Sequence, residues 1–237
     1  MLKALESSYY KNILKVHGVL LSAGESDRFK GDKLFTEVKN KPLILYPIET
    51  FLNSGNIDTL VIVCNKINKK KIKQLLLNIE TNIEIDFILG GKSRQESELK
   101  ALEKLKEKNV HEEDLIVIHD SARAFLPVKL LLNLIEHAKE NQSAAPYIRT
   151  LLVSKDLSEY INENIVEIQT PQIFNFKILS KAYIKTSDNN FDSVDTTERV
   201  SQETGLEASL IEGSNLNKKI TFKEDLDKLQ VLLEVEN

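Results

Sequence analysis

Tryptophan does not occur in the chain, and cysteine occurs once. A lone cysteine excludes an internal disulfide, and Cys64 lies inside the apolar run TLVIVC, where it reads as core. His17, His111, His119 and His137 share no ligand spacing, so with one cysteine a zinc centre is not expected. There is no G-x-S-x-G elbow, which argues against a serine hydrolase. Neither G-x-G-x-x-G nor G-x-x-x-x-G-K-[ST] occurs. Charge of one sign is also scarce. A net −4 draws the chain to neither nucleic acid nor an anionic membrane, and no basic-aromatic stripe supplies a local nucleic-acid surface. No apolar run is long enough to span a bilayer. Residues 1–15 lack the long apolar core of a secretory signal, so the cytoplasm is the expected compartment. They read as an N-terminal extension, a mixed segment with Leu2, Leu5, Tyr9 and Ile13 on one side. No linker and no internal repeat interrupts the remainder, which is expected to form one domain over 16–237. Its 41% apolar and 29% charged residues are ordinary for a globular chain that buries a sizeable core.

What is present begins with VHGVLLSAGESDRFKGDKLF, residues 16–35. An apolar run at 16–21, short enough for a buried strand, breaks into Ser22-Ala23-Gly24, which lets backbone approach a ligand closely. Arg28 and Lys33 follow, with Gly31 between them. Two readings stand: a phosphate-handling loop at the carboxyl edge of a sheet, or a surface loop with two incidental cations. Further strands are expected at 59–64, 83–89 and 115–118. Helices are expected from Pro42 to 52, through the lysine-rich KKKIKQLLLNIE, from a Ser93/Glu96 capping box to about 106, and from Pro127 to about 140. This alternation predicts an α/β fold, a parallel sheet covered on both faces. Right-handed crossovers then bring the loops after the first, third and fourth strands to one edge. Beyond Ser143 the pattern changes to extended segments as far as Gln169, an arm or hairpin. Thr170-Pro171-Gln172 marks a turn. Helices come next at 177–185, near Asp195 and after a Thr221/Glu224 capping box, with short strands at 208–211 and 218–220 and a loop at 188–192.

Each candidate residue has a functional and a bland reading. Asp120, at a strand end, suits Mg²⁺, which takes one or two carboxylates plus phosphate oxygens; the bland reading is a cap or a pair with Arg123. Gly90-Gly91 permits close backbone approach or simply turns the chain. Lys219 meets a phosphate or lies on the surface. Asp195 binds metal or a hydroxyl, or caps a helix with Glu198 three residues on.

Taken in order, Ser22-Ala23-Gly24 with Arg28 and Lys33, Gly90-Gly91-x-x-Arg94-x-x-Ser97, His119-Asp120-Ser121-Ala122-Arg123, Thr170-Pro171-Gln172 and Lys219-Ile220-Thr221-x-x-x-Asp225-Leu226 resemble the 2-C-methyl-D-erythritol 4-phosphate cytidylyltransferases. The wider resemblance is to nucleotidyltransferases with a Rossmann-like sheet, including ribitol-5-phosphate cytidylyltransferases. The resemblance implies a mostly parallel Rossmann-like sheet with a protruding β-arm, and transfer of a cytidylyl group from CTP to a polyol phosphate with release of pyrophosphate. It implies nucleotide contacts at Ser22, Ala23, Gly24, Gly91, Lys92, Ser97 and Ser121. It gives catalytic charge neutralisation to Arg28, Lys33 and Lys219, Mg²⁺ at Asp120, and acceptor contacts at Arg149, Thr150, Asn162, Asp195 and Lys219. It also implies a homodimer joined through an arm at 143–168.

The chain departs from the family pattern at several places. Ser26 replaces a glycine and Ala124 a proline. Arg149-Thr150 replaces Asp-Thr, Leu152 a lysine, Asn162 an arginine, and Val194-Asp195 a Thr-Asp pair. The nucleotide half therefore matches better than the acceptor half. Three functions are expected, in this order: transfer to methylerythritol phosphate in isoprenoid precursor synthesis, transfer to another polyol phosphate such as ribitol 5-phosphate, and non-catalytic nucleotide binding.

Overall fold

A computed structural model describes residues 14–24, 27–29, 31–150, 152–153, 160–161, 165–184 and 193–235. The expected N-terminal segment with Leu2, Leu5, Tyr9 and Ile13, Ser26, Asn162 and the loop at 188–192 lie outside the described residues.

The first strand, β1 (Val16–Ser22), runs through the middle of the molecule and alternates its side chains between two cores. Val16 and Leu20 face one side and Val19 the other, the period-2 pattern of a strand covered on both faces. After the loop come a two-residue hairpin, β2 (Glu37–Val38) and β3 (Lys41–Pro42), and helix α1 (Leu45–Asn53). Pro42 was expected near the start of that helix and instead ends the hairpin. Lys39 and Asn40 turn the chain with φ of 48° and 61°, as a tight hairpin requires. Pro47 sits in the first turn of α1, where a missing N–H costs nothing.

β4 (Thr59–Cys64), α2 (Lys66–Leu76), β5 (Glu84–Leu89), α3 (Arg94–Glu107), β6 (Leu115–Asp120) and α4 (Val128–Asn141) complete the alternating half. β5, β4, β1 and β6 lie side by side in that order and are parallel. β6 runs two residues further than expected, so His119 and Asp120 belong to the strand itself. Helices α1, α2 and α4 contribute Ile48, Phe51, Ile72, Leu131 and Leu134 to one core. α3 contributes Ala101, Leu102 and Leu105 to the other.

The second half adds antiparallel strands. β7 (Ser143–Arg149) joins the main sheet, and β8 (Leu152–Val153) pairs with β9 (Tyr160–Ile161) as a separate two-stranded ribbon. β10 (Val166–Ile168) returns beside β7, and β11 (Gln172–Asn175) inserts between β6 and β7, antiparallel to both. Helices α5 (Phe176–Ile184) and α6 (Thr196–Thr204) cover the second face, with Leu179, Ala182 and Val200 in its core. β12 (Leu210–Glu212) pairs parallel with β7, and α7 (Lys223–Val235) closes the chain.

Two local expectations are corrected. Residues 218–220 form no strand, because Ile220 makes a single backbone–backbone bond, its N–H donating to the Ala122 carbonyl at 2.8 Å, instead of a ladder. The start of α7 is held by Asp225 rather than by Thr221 with Glu224; its carboxylate accepts the N–H groups of Thr221 and Phe222 at 3.0 and 2.9 Å.

A third apolar cluster anchors the loop after β1. Phe29, Val38, Leu43, Phe125, Ile220, Leu226 and Leu229 pack together, joining that loop, the chain after β6 and α7. Burying side chains of this size is worth ~2 kcal/mol each, enough to fix a surface loop that has no ladder of its own. Among the described residues no helix is long and apolar enough to cross a membrane.

Candidate active site

The strand order reverses at β1: the chain passes from β1 outward to β4 and β5, then back to β6 on the other flank. A crevice opens above the carboxyl ends of β1 and β6, the usual ligand position in an open α/β sheet. Its volume is about 740 Å³. The loop after β1 lines it with Ser22, Ala23, Gly24, Arg28 and Lys33. The turn after β5 adds Gly91 and Lys92, α3 adds Arg94 and Ser97, β6 adds Asp120, and the segment before α7 adds Lys219. Three loops far apart in the chain thus meet as the topology requires.

The meeting depends on missing side chains. A Cβ on Gly90 would stand 2.4 Å from the Ala23 Cβ, so only glycine lets the turn after β5 touch the loop after β1. The Ser93 cap is present, its hydroxyl accepting the Glu96 N–H at 3.1 Å. The Glu96 carboxylate reaches back to the Lys92 N–H at 2.7 Å. Ser97 Oγ accepts the Gly91 N–H at 3.0 Å. The Gly91 and Lys92 amides are therefore already bonded within the turn, while both residues still face the cleft. Ser22 and Ser121 are buried and joined by a 2.5 Å bond between hydroxyls that ties the ends of β1 and β6 together. Ser121 is not in the cleft wall.

The charges are concentrated. Arg28 is exposed at the rim, its neighbour Phe29 anchored in the third cluster. Lys33 Nζ donates to the Ile220 carbonyl at 3.0 Å, which couples the first loop to the segment carrying Lys219. Burial, reinforced by the nearby Lys219 and Arg28 charges, lowers the Lys33 amine below the ordinary lysine range. Lys219 Nζ donates to Asp120 Oδ2 at 2.7 Å, and Arg94 Nε to Asp120 Oδ1 at 3.2 Å. Burial opposes charge on Asp120, but the Arg94 and Lys219 cations beside it hold the carboxyl well below the usual range. It is an anion throughout the physiological range.

His119 is fully buried behind Asp120, and burial lowers its imidazole to about 4. The neutral ring gives Nε2–H to the Arg123 carbonyl at 3.0 Å, which leaves Nδ1 to accept from the Thr170 hydroxyl at 2.9 Å. Thr170 Oγ1 in turn accepts the Asp120 N–H at 3.1 Å. The Thr170-Pro171-Gln172 motif is thereby stitched to the end of β6.

The Arg123–Asp120 pair, one of the bland readings of Asp120, does not form. The chain turns at 120–123, with the Arg123 N–H bonded to the Asp120 carbonyl at 2.9 Å. The Arg123 guanidinium goes instead to the Asn217 carbonyl at 3.0 Å and to the Glu167 carboxylate at 3.7 Å. Arg94, which was not among the expected site residues, takes its place. Its position as the first residue of a capped helix, after a Gly-Gly turn at the carboxyl edge, was the available signal.

The acceptor candidates are more scattered. Arg149 is exposed at the end of β7, in register with Val166, and Thr150 bonds through its N–H to the Ile165 carbonyl at 3.2 Å; neither lines the cleft. Asp195 caps α6, with Oδ1 accepting the Glu198 N–H at 2.9 Å and the Thr197 hydroxyl at 2.7 Å. Its Oδ2 accepts from Gln172 Nε2 at 2.9 Å, and the residue borders a separate hollow of about 350 Å³.

The donor set suits a hard cation held jointly with a nucleotide. Among the described residues no group of three or more His, Cys, Asp or Glu side chains is placed to hold a metal ion by itself. Asp120 is a single buried anion, and the Lys219 ammonium already sits on one of its oxygens as a stand-in cation. That fits Mg²⁺, which is commonly bound by one carboxylate plus substrate phosphate oxygens.

The family model described as 2-C-methyl-D-erythritol 4-phosphate cytidylyltransferase matches residues 16–235. The 2-C-methyl-D-erythritol 4-phosphate cytidylyltransferase of Dictyoglomus thermophilum is 32% identical over 90% of this chain and 94% of its own length. A bifunctional enzyme of Pelagibacter ubique is 36% identical over 88% of this chain, which spans 55% of that longer protein. A crystal structure of a 4-diphosphocytidyl-2C-methyl-D-erythritol synthase shares the fold, with a TM-score of 0.76 and 22% identity over 93% of this chain and 99% of the other.

Proposed function

We propose that this chain, which belongs to the 2-C-methyl-D-erythritol 4-phosphate cytidylyltransferase family, uses the cleft above β1 and β6 to bring CTP and the acceptor phosphate together. It is a cytidylyltransferase that transfers CMP from CTP to 2-C-methyl-D-erythritol 4-phosphate and releases pyrophosphate, a step of isoprenoid precursor synthesis in the non-mevalonate pathway. The single observation that supports these residue roles is the convergence of Arg28, Lys33 and Lys219 around Asp120 in one cleft.

In this reading an oxygen of the acceptor phosphate attacks the α-phosphorus of CTP in line with the departing pyrophosphate. A triphosphate and a phosphomonoester together bring about six negative charges, and their repulsion at a few Å is worth several kcal/mol at intermediate dielectric. Phosphoryl-type transfer depends on positioning and charge neutralisation more than on covalent help. No general base is required, because the attacking oxygen is already ionised. Lys33 and Arg28 meet the triphosphate, and their charge counts where it builds at the transition state. Lys219 leaves Asp120 to hold the acceptor phosphate. Asp120 holds Mg²⁺, which neutralises phosphate charge when bound. The walls at Ser22, Ala23, Gly24, Gly91, Lys92 and Ser97 hold the nucleoside, and the Ser22–Ser121 tie keeps that wall closed.

Arg149, Thr150, Asn162 and Asp195 belong to the acceptor side of this reading. Arg149 and Thr150 stand outside the chain's own cleft, which favours delivery across a homodimer through the part of the expected 143–168 arm beyond β7, since β7 itself lies in the main sheet. The reaction takes place in the cytoplasm. The test is pyrophosphate release from CTP and Mg²⁺ with a panel of polyol phosphates. Turnover is expected to be highest with methylerythritol phosphate. A higher kcat/KM with ribitol 5-phosphate would reassign the acceptor, and CTP binding without pyrophosphate from any acceptor would make the chain a non-catalytic binder.

A further inference from the structure

Behind Asp120 lies a buried polar cluster with no direct part in cytidylyl transfer. Glu98, on the second turn of α3, is wholly buried. Its Oε1 meets Arg94 Nη1 at 2.5 Å and accepts the Thr196 hydroxyl at 2.8 Å, and its Oε2 accepts the Tyr183 hydroxyl. Arg94 Nη1 also donates to Thr196 Oγ1 at 3.2 Å. The guanidinium is thus held from α3 and α6, with Tyr183 of α5 bracing Glu98, and Nε is directed to Asp120 Oδ1.

Such a cluster is poorly explained as a stabiliser. Removing a carboxyl and a guanidinium from water costs about as much as their attraction returns, and apolar residues of the same volume are often as stable. What the arrangement does produce is direction. Glu98, Thr196 and Tyr183 fix the guanidinium, and the guanidinium fixes one oxygen of Asp120. The other oxygen, Oδ2, is left toward the cleft, where Lys219 now sits.

We infer that Arg94, aimed by Glu98, is the positioning residue for the metal-holding carboxylate: it occupies Oδ1 of Asp120 and so presents Oδ2 alone to the cation bound with CTP. The inference rests on the reading of Asp120 as that carboxylate. Partners that orient a ligating group typically govern metal affinity by 10- to 100-fold. A shorter ammonium at position 94 cannot span Glu98, Thr196 and Asp120 at once.

The test measures Mn²⁺ binding by electron paramagnetic resonance in the presence of CTP without acceptor, alongside CTP binding in chelator. Arg94→Lys and Glu98→Gln are expected to weaken Mn²⁺ binding about tenfold, while metal-free CTP binding stays within about twofold of wild type. The double variant Arg94→Met/Glu98→Met separates positioning from support. It replaces the pair with apolar bulk but removes the acceptor of the Thr196 and Tyr183 hydroxyls, so it is expected to melt at a lower temperature yet remain folded, with the same loss of Mn²⁺ affinity. Unchanged Mn²⁺ affinity in Arg94→Lys and the double variant overturns the inference. So does an equal loss of metal-free and metal-dependent CTP binding, which would make Arg94 a nucleotide contact. If wild type binds Mn²⁺ with CTP but releases no pyrophosphate with any acceptor, the reaction assignment fails while this comparison of variants still decides the inference. If wild type binds no Mn²⁺ with CTP, both fall.

Discussion

On the nucleotide side, loops from three parallel strands meet over one crevice, and Lys33, Asp120 and the glycine turn each have fixed neighbours. Lys33 is held by the Ile220 carbonyl, Asp120 by Arg94 and Lys219, and the glycine turn by Ser97 and Glu96. On the acceptor side, Arg149 and Thr150 lie at the end of a strand outside that crevice, and Asp195 gives its carboxylate to a helix N-terminus. A triphosphate needs a rigid, pre-aligned cradle, and a sheet edge with a reversal in strand order supplies one within a single chain. The acceptor side is assembled from the later antiparallel strands, and two of its links to the cradle meet Asp120 itself. One is Lys219. The other is the Thr170 hydroxyl between His119 and Asp120.

The comparison breaks most severely at Asp120. Asp120→Ala removes the shared anion and leaves Arg94 facing an empty place and Lys219 unpaired. Pyrophosphate release is expected to fall by about a thousandfold or more, the scale of losing a principal electrostatic element. A loss under tenfold would move the metal site elsewhere.

Lys33→Ala is expected to lower kcat by about a hundredfold while CTP affinity changes only a few-fold, because its charge acts chiefly in the transition state. Equal losses in both would make it a binding residue only. Since burial and the neighbouring cations lower this amine, wild-type kcat/KM for CTP is expected to decline at a pH below the ordinary lysine range as the proton is lost. Lys33→Arg, which keeps its charge, should lack that alkaline decline.

The joint between the two sides is expected to be acid-sensitive. The folded protein holds His119 neutral down to about 4, whereas an exposed histidine titrates near 6.5. The unfolded chain therefore binds more protons in that interval, and stability falls as pH drops from about 6.5 to 4, by up to ~3 kcal/mol from this residue. His17, also lowered by burial, adds to the trend. Denaturant midpoints across the interval check it, and His119→Gln should flatten the slope.

The smallest effect is expected on the acceptor side. Arg149→Ala should raise the acceptor KM about tenfold or less and leave the CTP KM unchanged, the scale on which a single exposed cation contributes to ground-state binding. No change would take Arg149 out of the site and leave Lys219 as the principal acceptor cation.

Much of the nucleotide side was legible from the amino-acid order. Apolar runs of strand length, closed by Ser, Asn, Gly and Asp in turn, mark β1, β4, β5 and β6, and the capping pairs at Ser93 and Asp195 mark helix starts. These signals are local, since period and cap chemistry act within a few residues. The same locality explains the misses. Pro42 looked like a helix start because the positive φ values at Lys39 and Asn40 leave no strong mark in that sequence. Glu224 looked like the capping partner because it has the usual spacing, yet Asp225 reaches the free amides.

Pairing across distance belonged to the fold alone. Arg123, three residues from Asp120, was the natural partner by spacing, but the turn at 120–123 sends it to Asn217 and Glu167. Its place is taken by Arg94 and Lys219, 26 and 99 residues away. Residue order prescribed which strands and loops would exist, because hydrophobic period and backbone stereochemistry are short-range. Which cation faces which carboxylate was settled only when the sheet order and the third apolar cluster brought remote loops together, because Coulomb attraction depends on separation in space and not along the chain.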